Sequence, residues 1–237
     1  MTSIKHIPFS VLITQKSELS SFRAEYAKET PQERRRAAEW EYDSSIATEL
    51  FNAALHGKHC TIKPKWPPGF IALAIDPLFA QALLTVGSLD YQHGFITEGM
   101  QHFMSLTQLP EDETELTDII DKAANFLIDN DDIDNALVLY SAAEQSFPRN
   151  SVYCAGSGYC LYRLKRMDEA VEKHRLAVGL DPCNYLHLND LGYTLLEAGI
   201  LDEGEKVLTD ACLLAPPDYL FAKNNLQLLQ ERKKTAT

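Results

Sequence analysis

Residues 151–184 read SVYCAGSGYCLYRLKRMDEAVEKHRLAVGLDPCN, and the spacing of small, large and turn-forming residues in this stretch decides the fold. Its first half predicts a helix over 152–164 and its second a helix over 168–178. Gly158 and Ala170 would let the two backbones approach closely, as packing of ridges into grooves requires. Asp168 is the expected N-cap of the second helix and Gly179 the expected stop near its end. Pro182 then suits the link or the first turn of the next hairpin, where a missing N–H does no harm. The same pattern recurs at a distance of 34 residues: Pro148, Pro182 and Pro216; Ala143, Ala177 and Ala211; Ala124, Gly158 and Gly192. Ala136, Ala170 and Gly204, Leu127, Leu161 and Leu195, and Tyr140, His174 and Leu208 keep the same register. Self-similarity at this period predicts a stack of helical hairpins, which makes binding surfaces more often than active sites.

Residues 185–218 carry Gly192, Asp202, Gly204, Ala211 and Pro216, and residues 117–150 carry Ala124, Asp134, Ala136, Ala143 and Pro148 at the matching places. At these residues the chain resembles the tetratricopeptide repeat family, over three full units spanning 117–218. Cys154 and Ser157 replace larger residues common in that family, and His174 stands where an aromatic is usual. The resemblance implies an all-α fold, an α–α superhelix in which the first helix of each hairpin lines a concave, peptide-gripping surface. Carried onto this chain, the exposed inner positions are Asp118, Asp121, Lys122 and Asn125 in the first unit. The second unit contributes Val152, Ala155, Tyr159, Tyr162 and Arg163, and the third Leu186, Asn189, Asp190, Tyr193 and Glu197. Tyrosines beside small residues suit such a surface, because they give contact area at low entropic cost. The competing reading is that Tyr159 and Tyr193 only pack between helices. One subset of the family clamps the C-terminal carboxylates of heat-shock chaperones with Lys, Asn and Arg. Lys122 and Asn125 fall near such places, but Asp190 and Glu197 stand where further basic residues would be needed, so that ligand class is rejected.

Upstream the repeat decays. Residues 80–113 keep Gly87, Gly94, Gly99, Phe103 and Leu106, with Pro110 out of register, and read as a degenerate repeat within a region 31–113. Residues 71–77 look like the end of another hairpin whose first helix would span 31–56, opened by a capping box of Thr30, Pro31 and Glu33. The connection 57–68 is too long and proline-rich for an ordinary hairpin turn. Residues 1–30 form an N-terminal arm with a short apolar run at 9–14. Residues 219–237 predict a capping helix and tail, with Leu220, Leu226 and Leu229 shielding the last face of the solenoid.

The chain of 237 residues has 45% apolar residues and a net charge of −12, with no uninterrupted apolar stretch of about 18 residues that would predict a transmembrane helix. No secretory leader is legible at the N-terminus. The charge is unevenly placed: residues 111–135 hold ten acids against Lys122 alone, while residues 1–36 and 219–237 are each +3. An acidic body disfavours nucleic acid, whose affinity rests on phosphate neutralisation, and favours a basic protein or peptide partner. Five cysteines without a Cys-x-x-Cys pair read as free thiols in a reducing compartment, which makes the cytoplasm the expected location.

No motif promises catalysis. The acidic run 129–134 lacks the central glycine and the final Glu of a calcium-binding EF-hand loop and reads as a capped, solvated turn. His56, His59 and Cys60 make at most a partial metal site with no fourth ligand. Ala155-Gly156-Ser157-Gly158 lacks the leading glycine and the strand of a nucleophile elbow. Arg34, Arg35 and Arg36 read as a solvated helix face pairing with Glu33, Glu39 or Glu41. With no nucleotide, dinucleotide or zinc-protease motif, the chain is expected to be neither an enzyme nor a cofactor binder.

The expected function is therefore protein–protein recognition, as an adaptor, a chaperone-like holder of one client, or an assembly subunit. Acidic residues 111–134 would steer a basic client. Three alternatives share the sequence: a type III secretion translocator chaperone, whose layout residues 117–237 resemble; a nucleic-acid-associated or enzyme-regulatory subunit using Arg34–Arg36 and the basic tail; and a homodimer formed through an imperfectly capped face.

Overall fold

The computed structural model describes residue 73, residues 78–110 and residues 115–236. The expectations for the arm 1–30, the helix 31–56, the connection 57–68, Arg34–Arg36 and the His56/His59/Cys60 group lie outside the described residues. Nine helices occur among the described residues: α1 (Ala80–Gln92), α2 (Ile96–Leu106), α3 (Leu116–Asp129), α4 (Ile133–Ser146), α5 (Ser151–Arg163), α6 (Met167–Leu180), α7 (Tyr185–Glu197), α8 (Leu201–Leu214) and α9 (Phe221–Ala236). The chain divides into two compact units, Met1–Ile119 and Ile120–Thr237.

Every described hairpin closes with the same turn. The residue after the C-cap takes a left-handed conformation: Gly94 (φ 82), Asp131 (φ 60), Lys165 (φ 63) and Gly199 (φ 78). Its N–H reaches back to Tyr91, Ile128, Tyr162 and Leu196 at 2.9, 2.9, 3.0 and 3.1 Å respectively. The next N–H, of Phe95, Asp132, Arg166 and Ile200, reaches Asp90, Leu127, Leu161 and Leu195, each at 2.9 Å. This is the Schellman arrangement, which satisfies the last carbonyls of the first helix. It also explains a difference from the sequence expectation. The expected N-cap, Asp168, sits inside α6, because the turn leads directly into the helix and makes Arg166 the N-cap residue. Asp168 and Glu169 instead place negative charge in the first turn, favourable against the helix dipole. Gly179 does not stop α6, which runs on to Leu180.

The links between hairpins use a device the repeat pattern did not announce. Asn150 and Asn184 cap α5 and α7 by accepting from Val152 N–H and Leu186 N–H, both at 3.1 Å. Pro182 lies in the link before α7.

In three of the described hairpins a glycine on the first helix faces one large residue on the second. A β-carbon on Gly158 would come within 2.8 Å of the His174 ring, one on Gly192 within 2.5 Å of Leu208, and one on Gly87 within 2.6 Å of Phe103. Each pair is separated by the same interval in sequence, so α1 and α2 form a hairpin of the same pattern although residues 80–113 drift from the 34-residue register. In the second unit, Ile120, Leu127, Leu139, Tyr140, Leu195, Leu208 and Leu229 are fully enclosed. α9 closes the stack by burying Ala222 and Leu229, with Leu226 packed at the edge; Leu220 precedes the helix and stays 56% exposed.

Candidate functional site

In the second unit the helices form two rows. Ion pairs run along the row of second helices: Lys173 on α6 pairs with Glu144 on α4, and Arg175 on α6 with Glu203 on α8 at 2.7 Å. The first helices and the terminal helix form the other row. Tyr162 of α5 meets Tyr193 of α7 edge to face, with ring centroids 5.8 Å apart. Ser151 Oγ and His187 Nε2 lie 3.0 Å apart. Between α7 and α9, Asn225 Nδ2 donates to Asn189 Oδ1 at 2.9 Å, and Arg232 donates to Leu196 O at 3.0 Å and to Glu197 at 3.1 Å.

The exposed side of this row holds most of the residues named from the sequence. Asp118, Lys122, Asn125, Tyr159, Arg163, Leu186 and Asp190 are exposed; Asp121, Val152, Ala155, Tyr162, Tyr193 and Glu197 are half-buried. Asn189 differs from expectation. It is buried, because its carbonyl takes the Asn225 bond and its amide donates to Asp190 at 3.2 Å.

The two tyrosines at issue part company. Tyr159 stands 41% exposed, its hydroxyl accepting from Arg163 at 3.0 Å. Tyr193 packs against the cluster of Leu196, Leu208 and Leu229 and so takes part in the core. Its hydroxyl lies 3.4 Å from that of Tyr162, and this bond, ahead of burial, pushes the Tyr162 phenol up to about 12.

Three acids of this row and its turns have partners. Asp121 accepts from Tyr140 Oη at 2.6 Å and from Asn125 Nδ2 at 2.9 Å. Asp131 accepts from Arg163 at 3.2 Å and Glu197 from Arg232. The acidic turn is a capped turn, as expected: Asp132 accepts from the Asn135 backbone at 3.2 Å and from its amide at 2.7 Å. Asp190 is exposed, yet protein packed around it withdraws enough water to raise its carboxyl to about 6.

Two histidines also depart from their ordinary state. His174 is buried against Gly158 and desolvation holds it down at about 4, with the nearby His187 adding to the effect. Burial lowers His187 as well. Among the described residues no three His, Cys, Asp or Glu side chains are grouped to hold a metal ion, and no helix is long and apolar enough to cross a membrane.

No protein-family model and no curated protein matches this chain. Solved structures do. YrrB, a tetratricopeptide-repeat protein with an unusual peptide-binding site, is 18% identical with a TM-score of 0.50, over 86% of this chain and 95% of its own. The chain has the tetratricopeptide-repeat fold. MamA aligns at 15% identity and a TM-score of 0.48 over 71% of this chain and 89% of its own. The first tetratricopeptide-repeat domain of human RPAP3 aligns at 20% and 0.48 over 51% and 94%. In the tetratricopeptide-repeat frame, glycine–large pairs seal three of the described hairpins and asparagine caps begin the two that open with α5 and α7.

Proposed function

We propose that the chain is a protein-interaction scaffold that takes up a client peptide along the row of first helices α3, α5 and α7. The observation that carries this reading is the exposure of Tyr159 and Leu186, at 41% and 44%, on the first helices of two neighbouring hairpins. A large aromatic and a leucine held out on rigid helices are the kind of anchors that dominate binding energy at an interface. The fold supports the same reading, since YrrB, which shares it, has a peptide-binding site. On this view residues 117–218 form the recognition unit, α9 is its cap, and the residues named from the sequence on α3, α5 and α7 supply the contacts, Asn189 acting from beneath.

The nucleic-acid alternative loses part of its basis. Arg232 and Lys233 of the basic tail hold α9 to Glu197, Asp202 and Glu205. No observation favours the secretion-chaperone layout over a general scaffold. The free thiols of Cys154, Cys160, Cys183 and Cys212 fit a reducing compartment, and we place the protein in the cytoplasm on that ground.

The test is co-purification of partners from native lysate with the wild-type chain and a Tyr159→Ala/Tyr193→Ala variant, with circular dichroism on both. A partner lost by a folded variant supports recognition on this face. Equal recovery by both moves recognition elsewhere and sinks the proposal.

A further inference from the structure

We infer that Asp190 is the cation subsite of this face, the point at which a lysine or arginine side chain of the client is bound. The inference rests on the peptide-binding reading and gives that client its chemistry.

Asp190 lies on α7 one turn from both Leu186 and Tyr193, so the three share a face. Asp121, Asp131 and Glu197 already have partners within the protein. The Asp190 carboxylate accepts a single hydrogen bond, from the Asn189 amide at 3.2 Å, and no Lys, Arg or His among the described residues pairs with it. Asn189 is buried and held by Asn225 of α9, so the carboxylate is oriented before any ligand arrives.

The surroundings also suit a basic side chain. Tyr219 lies within electrostatic range of Asp190 and packs edge to face on Tyr185 at 4.9 Å. A carboxylate with a phenol ring in range gives an ammonium or guanidinium its counter-charge and gives its stem an apolar wall. The raised carboxyl, driven by desolvation against the help of Asn189, agrees that the charge is under-compensated in the free protein. An arriving cation supplies that missing compensation.

The experiment selects peptides from a random phage-displayed library on the full chain, followed by titration of the synthetic winners. The expected winners share one Lys or Arg position. Replacing that residue by Gln weakens binding about tenfold, Asp190→Asn weakens it equally, and the two changes together cost little more than either. Asp190→Asn also raises the melting temperature of the free protein, which a purely structural carboxylate would not do. Winners without a shared basic position, or winners bound equally by Asp190→Asn, overturn the subsite. If those peptides still lose affinity on Tyr159→Ala, the peptide-binding reading stands without it. If no peptide enriches, or if the winners are indifferent to Tyr159→Ala/Tyr193→Ala, both fail together.

Discussion

Tyr162 and Tyr193 meet edge to face across two neighbouring repeats, their rings inclined at 67° and their hydroxyls 3.4 Å apart. The contact fixes α5 against α7, and it separates the roles of two tyrosines that occupy matching places in the repeat. Tyr193 reaches this contact from the edge of the Leu196, Leu208 and Leu229 cluster, whereas Tyr159 stays at the surface. Tyr159→Ala should change stability by no more than about 0.5 kcal/mol, and Tyr193→Ala should cost about 2 kcal/mol. Urea unfolding of the single variants checks this; equal losses would put both tyrosines in the same structural role.

Glycines in three settings should respond in three ways. Gly199 adopts φ 78 in the turn before α8, so Gly199→Ala should cost about 1 kcal/mol. Gly158 faces the His174 ring, and Gly158→Ala should cost about 1–3 kcal/mol through overpacking. Gly179 lies within α6 with nothing near its missing β-carbon, and Gly179→Ala should stabilise by about 0.5–1 kcal/mol. Thermal melts in parallel would expose a wrong assignment by the sign of any one shift.

His174 makes the fold acid-sensitive. Its pKa falls from 6.5 to about 4 on folding, so the unfolded chain binds the proton more tightly. Stability is therefore complete above the unfolded value and declines as pH drops from 6.5 towards 4, by up to about 3 kcal/mol for this group. The lowered His187 acts in the same direction. Asp190 opposes them: raised from 3.8 to about 6, it favours the fold increasingly as pH falls through that window. His174→Leu copies the packing of Leu208 over Gly192 and should flatten the acid-side decline. A decline of unchanged slope in that variant, followed by chemical denaturation across the window, would assign the effect to other groups.

The terminal helix is held partly by charge. Arg232 bonds the Leu196 carbonyl and Glu197, and Lys233 spans Asp202 and Glu205, each at 2.7 Å. Arg232→Ala should lower stability by about 1 kcal/mol and speed amide exchange in α9 ahead of α7. Uniform exchange across both helices would mean that α9 does not open by itself.

The hairpins and their order were legible because close helix packing needs a small residue opposite a large one, and that demand repeats in the chain as Gly158 with His174 and Gly192 with Leu208. Cap positions were less legible. Asp168 has the chemistry of an N-cap, but the left-handed turn at Lys165 sets where α6 begins, and Asn150 and Asn184 cap the first helices instead. The candidate site was legible as a set of positions on first helices. Its sorting was not, because Tyr159 and Tyr193 look alike in the repeat and differ only in what packs against them.

The sequence by itself determined the all-α class, the period of the hairpins and the face on which a partner would be sought, since these follow from local spacing along a helix. Tertiary structure alone decided that Asn189 turns inward to Asn225, that the basic tail binds its own acids, and that Asp190 pairs with no cation among the described residues. The first two outcomes depend on residues about thirty or more positions apart coming into contact, and no local pattern encodes which charges will meet.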